Sequence, residues 1–437
     1  MSSSSSDMAH VPDSEALQAR WCSGKLSAFY VTSTWRFPTY ARMLPTCHAR
    51  SGPISAQNLH EEDVRLAWVR GLFQNRIMVD DSLDPELRRR GRGACSNVVG
   101  RFERLDRRFE EDGWDRAPEE RVLRTELSRE VPRRIISYNR SPDLPFDRSI
   151  NPYRGCEHGC VYCFARPSHA YLGLSPGLDF ETKLVARPGA AEALVQELRA
   201  RRYEVAPIAI GTNTDPYQPI EAGERVMRAC LEVLAGCDHP VAIVTKGTLI
   251  ERDIDLLAPM AAKGLCRVGI SVTTLDADLS RRMEPRAPGP KRRLEIIRRL
   301  SEAGIPVRVM AAPMVPGLSD HELEAILREG RAAGATSASW IMLRLPREVS
   351  PLFQEWLQSH APGRAARVMG RVREMHGGKE YDANWGQRMR GTGPYAEMVA
   401  ARFRNAIRRL GLDARQPALR CDLFRPPERA GDQLDLF

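Results

Sequence analysis

Asn151-Pro152-Tyr153-Arg154-Gly155-Cys156-Glu157-His158-Gly159-Cys160-Val161-Tyr162-Cys163-Phe164 sets three cysteines at the spacing C-x3-C-x2-C on one loop after a strand-like run. Thiolates this close in sequence can converge on a single iron–sulfur centre. Gly155 and Gly159 give the backbone the freedom that so tight a path needs. Three cysteines leave one iron of a [4Fe–4S] cubane without a protein ligand, open to an external amino and carboxylate pair. Zinc is the alternative. Structural zinc takes four ligands, and His158 is offset too little from Cys156 and Cys160 to share a tetrahedral site with them. A catalytic zinc with three ligands remains open, as does a set of plain core cysteines.

Downstream of residue 149 the pattern alternates. Short apolar runs at 206–212, 241–246, 266–274, 307–313 and 339–345 suit strands buried on both faces. Between them lie amphipathic stretches at 190–202, 222–235, 252–263, 292–303 and 320–333, of helical length. Gly304 and Gly334 follow two of these as stops, and Asp320 is placed to cap a third. A first strand ending near Tyr153 makes six. The alternation predicts an α/β fold with parallel strands and right-handed crossovers. Such a sheet either curls or stays doubly wound; the expectation adopted is a partial (β/α)6 barrel, with ligands at the C-terminal strand ends.

The flanks differ. Residues 1–77 mix Ser, Pro, His and lone Trp without periodicity and read as poorly ordered or as lying upstream of the true start. Residues 78–148 form a basic and acidic N-terminal extension, with Arg88-Arg89-Arg90-Gly91-Arg92 and a helix expected over 119–130. The core is expected over 149–360, a helical extension over 361–412 and an extended, flexible tail over 413–437. The chain has 437 residues, ten cysteines and a net charge of +9. The scattered cysteines exclude a small disulfide scaffold, and Cys230 and Cys266 read as core residues. No run approaches the roughly 20 apolar residues of a membrane span, and the serine-rich start lacks the marks of a secretory signal. A cytoplasmic location and no membrane partner are expected. The basic balance suits a polyanion, and codon bias toward Arg explains it equally well.

The C-x3-C-x-aromatic-C loop after the first strand of a six-unit β/α domain resembles the radical S-adenosylmethionine (SAM) superfamily. Within it, residues 150–357 resemble the branch containing spore photoproduct lyase and its DNA repair photolyase-like relatives. The resemblance implies a [4Fe–4S] cluster on Cys156, Cys160 and Cys163, and SAM as second cofactor. It implies reductive cleavage of SAM to a 5′-deoxyadenosyl radical that takes hydrogen from a substrate, with an electron donor of flavodoxin or ferredoxin type. It places Tyr162 beside adenine, Asn213 and Thr214 at the methionine part, Lys246 at the carboxylate and Ser271 at the ribose. Glu284 with Arg286 or Arg293 is expected to bracket SAM or substrate. One departure matters: where the branch carries a hydrogen-donating cysteine, this chain has Thr212, so thymine-dimer repair is not implied. Tyr153 and Tyr217 are the remaining candidates for radical quenching.

Gln433-Leu434-Asp435-Leu436-Phe437 resembles the pentapeptide by which bacterial polymerases and repair proteins bind the sliding clamp, and such a terminus can enter an apolar groove. Clamp and charge together favour DNA as a partner. The competing readings are a radical SAM enzyme acting on a protein or small molecule, and a non-catalytic Fe–S protein that binds nucleic acid.

Overall fold

The computed structural model describes residues 91–102 and 123–428. Contacts divide the chain into Met1–Val79 and Asp80–Phe437, and every described residue lies in the second unit. The segment 1–77, Arg88–Arg90 and the terminal pentapeptide Gln433–Phe437 lie outside the described residues.

The first strands are β1 (Glu126–Arg129), β2 (Ile136–Tyr138), β3 (Arg148–Ile150) and β4 (Tyr153–Arg154). After the cysteine loop come α1 (Asp179–Thr182), β5 (Lys183–Ala186), α2 (Ala190–Leu198) and β6 (Ile208–Ile210). Next are α3 (Glu221–Glu224), α4 (Val226–Gly236), β7 (Val241–Thr245), α5 (Ile254–Ala262) and β8 (Cys266–Ser271). The core closes with α6 (Ala277–Met283), α7 (Pro290–Glu302), β9 (Val307–Met314), α8 (Leu323–Ala332) and β10 (Ser337–Met342). Three helices follow: α9 (Val349–His360), α10 (Pro362–Met375) and α11 (Gly393–Leu410).

The main sheet has the order β10-β9-β8-β7-β6-β3-β2. Its six strands from β3 to β10 are parallel and follow chain order without reversal. A doubly wound sheet would reverse at a switch point; this order is that of the partial (β/α)6 barrel. The apolar runs that marked the strands supply the core, with Ile150, Ile210, Ile243, Ile270 and Val309 all essentially buried. Cys230 and Cys266 are buried within it, and burial pushes both thiols up to about 12.

Several local expectations are corrected. The first barrel strand ends at Ile150; Tyr153–Arg154 turns away and pairs antiparallel with β5 in a separate sheet, ordered β1-β5-β4. Within the stretch expected to be helical, Glu126–Arg129 is instead a strand, parallel to Lys183–Ala186. Long-range pairing outweighs the local helix propensity of its charged residues. An added edge strand, β2, runs antiparallel to β3. Asp320 caps no helix; it accepts the Gly317 N–H and, at 2.5 Å, the Tyr395 hydroxyl. The described part of the tail lacks helix and strand but is tethered, with Arg420 N–H on Gly264 O and Arg425 N–H on Cys237 O. Among the described residues no helix is long and apolar enough to cross a membrane.

Candidate functional site

The cysteine loop leaves β4 and lies over the C-terminal ends of the barrel strands. Gly155 and Gly159 both have positive φ, at 74° and 67°, which is why these two positions are glycine. Backbone bonds pin the loop at several points: Cys156 N–H to Phe180 O at 2.9 Å, Val161 N–H to Met283 O at 3.0 Å and Arg286 N–H to His158 O at 3.3 Å. The fully buried Gln218 accepts the Glu157 N–H at 2.9 Å and donates to Gly155 O at 3.2 Å. Cys156 and Cys160 are buried and Cys163 is half-buried.

The three thiols are electrostatic neighbours. Burial first, and then Asp215 and the neighbouring thiols, push Cys156 up; burial pushes Cys160 up to about 12, with Lys246 opposing. Coordination removes the thiol proton outright. Among the described residues no three His, Cys, Asp or Glu side chains converge on a single ion. A cubane asks for three thiolates around a larger body, each on its own iron, and the all-sulfur donor set of this loop fits that group.

Beside Cys160 lies a buried polar group assembled from four strand ends and helices. Glu284, at the end of α6, pairs with Arg293 of α7 and accepts the Tyr162 hydroxyl. Thr273 donates to it at 2.9 Å, and Lys246 Nζ, after β7, stands 4.0 Å from it. Arg293 also donates to Ser271 O at 3.1 Å and Pro288 O at 2.7 Å. Burial opposes the Glu284 charge, yet Arg293 and Lys246 hold its pKa down to about 2. Burial likewise opposes the Lys246 charge, and Cys160 with Glu284 raises its pKa in spite of that. Lys246 also sits 5.8 Å from the centre of the Tyr162 ring.

Of the residues singled out from sequence, Tyr162, Lys246, Ser271, Glu284 and Arg293 come together here. Of the two arginines proposed for Glu284, Arg293 is its partner; Arg286 turns outward and pairs with Glu157 at 3.3 Å. Ser271 spends its hydroxyl on Ala312 O at 2.7 Å. Thr214 donates to Tyr153 O at 3.0 Å, fastening the loop after β6 to the base of the cysteine loop, with Asn213 half-buried beside it. The rings of Tyr153 and Tyr217 are buried in the core. The Tyr153 hydroxyl is held by Glu221, and Tyr217 lies against Asp253.

Sequence reasoning missed Asp215. It accepts from the Thr245 hydroxyl at 2.6 Å and the Lys246 N–H at 2.8 Å, and pairs with His158 at 3.4 Å. Burial opposes its charge, but His158 and these donors lower its pKa to about 2. It also closes an Asx-turn, accepting the Tyr217 N–H at 2.9 Å. Also missed was the segment 91–101, which packs on the cysteine loop through Glu181 and Arg166.

A family model described as the radical SAM superfamily matches residues 150–330. An uncharacterized protein of Mycobacterium tuberculosis (strain ATCC 25618 / H37Rv) is 39% identical over 235 residues, covering 53% of this chain and 68% of that protein. One from Methanocaldococcus jannaschii is 26% identical over 175 residues, covering 40% of this chain and 62% of that protein. Among solved structures, spore photoproduct lyase complexed with dinucleoside spore photoproduct aligns at 16% identity and TM-score 0.47, over 65% of this chain and 79% of that chain.

Proposed function

The chain belongs to the radical SAM superfamily, and from that premise we propose that Cys156, Cys160 and Cys163 hold a [4Fe–4S] cluster, that Lys246 receives the SAM carboxylate and that the substrate is a nucleic acid. When bound, the two cofactors supply the one-electron cleavage of SAM to methionine and a 5′-deoxyadenosyl radical, which abstracts hydrogen from the substrate.

The chain's own residues bind, orient and exclude water. Lys246 stands too far from Glu284 for a hydrogen bond, so its ammonium protons remain available to an external carboxylate. Arg293 fixes Glu284, and Glu284 fixes the Tyr162 ring, so the wall beside Cys160 is set before a ligand arrives. Asn213, Thr214 and Ser271 line neighbouring strand ends, where ligands of such barrels bind. The reading is carried by the adjacency of a loop with three thiols and a half-buried cation that lies beyond hydrogen-bond distance of Glu284. The net charge of +9 supports a polyanionic substrate.

Anaerobic reconstitution with iron and sulfide, then dithionite and SAM, tests the reading. Four irons per chain and formation of 5′-deoxyadenosine are expected, with neither in Cys160→Ala. An intact cluster that yields no 5′-deoxyadenosine would argue for a binding protein instead. For the substrate class, a gel shift with single- and double-stranded DNA should weaken steeply with salt; no shift at low salt points to a protein or small-molecule substrate.

A further inference from the structure

We infer that the buried pair Arg166–Glu181 is a positioning device that locks the segment 91–98 onto the cysteine loop and so fixes the shape in which that loop holds its cluster. The inference rests on the reading of Cys156, Cys160 and Cys163 as cluster ligands.

Arg166 and Glu181 are both fully buried and form an ion pair. Arg166 is three residues past Cys163, yet its guanidinium reaches back into the loop. It donates to Cys160 O at 3.0 Å, and to Pro176 O and Gly177 O at 3.1 and 2.8 Å. No other charged side chain could replace that fork, because four oxygens are served by one planar group. Glu181 spends its remaining capacity on the N-terminal segment, accepting Gly93 N–H at 2.9 Å and Ala94 N–H at 2.8 Å. One carboxylate thus joins two chain segments 88 residues apart, with the loop carbonyl of a metal ligand on the far side of its partner.

The segment also touches the loop directly. A Cβ on Gly93 would fall inside the Gly159 carbonyl, and one on Gly159 would reach the Glu181 carboxylate at 2.7 Å. Arg92 donates to Glu181 O at 2.8 Å and to Thr125 Oγ1 at 3.1 Å, and that hydroxyl donates to Glu157 at 2.6 Å, between the first two cysteines. Farther along, Leu178 N–H bonds Ser96 O at 3.2 Å. A buried ion pair contributes little net stability, and in some proteins its role is to specify one arrangement. Here the arrangement specified is the path of the cysteine loop.

The test compares the parent with Arg166→Met, Glu181→Gln and Gly93→Val. Gly93→Val leaves the ion pair intact and forces the segment off Gly159; Gly223→Ala, in open space on α3, is the control. Each chain is reconstituted, and iron release to a chelator is timed anaerobically. Circular dichroism checks the fold, and the EPR spectrum of the reduced cluster reports its surroundings. Outer partners of metal ligands typically govern retention by about 10- to 100-fold. Release at least about tenfold faster in the three variants, an altered EPR spectrum and parent-like dichroism are expected. Parent-like release and EPR in Gly93→Val, or in either pair variant that folds, would overturn the inference. Failure of the parent itself to take up iron would instead sink the cluster assignment.

Discussion

Lys246 and Glu284 face each other at 4.0 Å beside Cys160, held apart while Arg293 makes the close pair with the same carboxylate. Glu284 therefore stays ionised without consuming the lysine. A site built this way has one cation in a close pair with the carboxylate and a second held beyond hydrogen-bond distance of it.

If the second cation receives SAM as proposed, replacing it should damage binding and spare the fold. Lys246→Met is expected to weaken SAM binding to the reconstituted protein by about 2 kcal/mol or more, the usual cost of truncating one member of a desolvated charge pair. Cluster absorbance should match the parent, because Lys246 is not a ligand. Equilibrium dialysis with labelled SAM measures this, and unchanged affinity would remove Lys246 from the cofactor site.

The committed carboxylate should behave in the opposite way. Glu284→Gln leaves Arg293 buried without its counter-charge, and breaking such a pair costs about 3–5 kcal/mol. Urea unfolding of the metal-free protein should show that loss near neutral pH. The pH dependence follows from the depressed pKa of about 2. Stability from this group is fully present above its unfolded value near 4.5 and drains away as pH falls toward 2. Asp215, also held at about 2, adds to the same acid slope. The Glu284→Gln protein should lose less stability across that window than the parent.

What the sequence revealed divides along the range of the interactions. The barrel was legible because β7 and β8 carry apolar runs whose burial depends only on their own composition. The cysteine loop was legible because its chemistry is local. Glu126–Arg129 was misread because its charged residues favour a helix, and only β5, more than fifty positions later, makes it a strand. Arg286 was a reasonable partner for Glu284 by proximity in sequence, but α7 brings Arg293 back to that carboxylate while the turn sends Arg286 to Glu157. The role of Glu181 left no trace, since two backbone N–H groups and a distant arginine define it.

Ser271 separates a structural hydroxyl from a ligand contact. Its Oγ donates to Ala312 O, and Thr273, 3.2 Å from the same carbonyl, has one hydroxyl proton, which it gives to Glu284. Ser271→Ala takes that donor from Ala312 O and should cost about 1–3 kcal/mol in urea unfolding. A SAM affinity loss of tenfold or more in that variant would assign the hydroxyl a ligand role in addition.

Tyr153→Phe decides whether the first tyrosine belongs to the chemistry. Its hydroxyl is bound by Glu221, which also accepts the Met227 N–H at 2.9 Å and the Arg252 guanidinium at 2.6 Å. Burial first, and then Glu221, raise its pKa, so the phenol stays protonated. Loss of one of several donors to a carboxylate that remains paired should cost about 1–2 kcal/mol of stability. The yield of 5′-deoxyadenosine per cluster should match the parent, because the hydroxyl faces the Glu221 network and not the cysteine loop. A radical relay through Tyr153 predicts instead a normal melt with product turnover abolished, and the two measurements made on one preparation distinguish the outcomes.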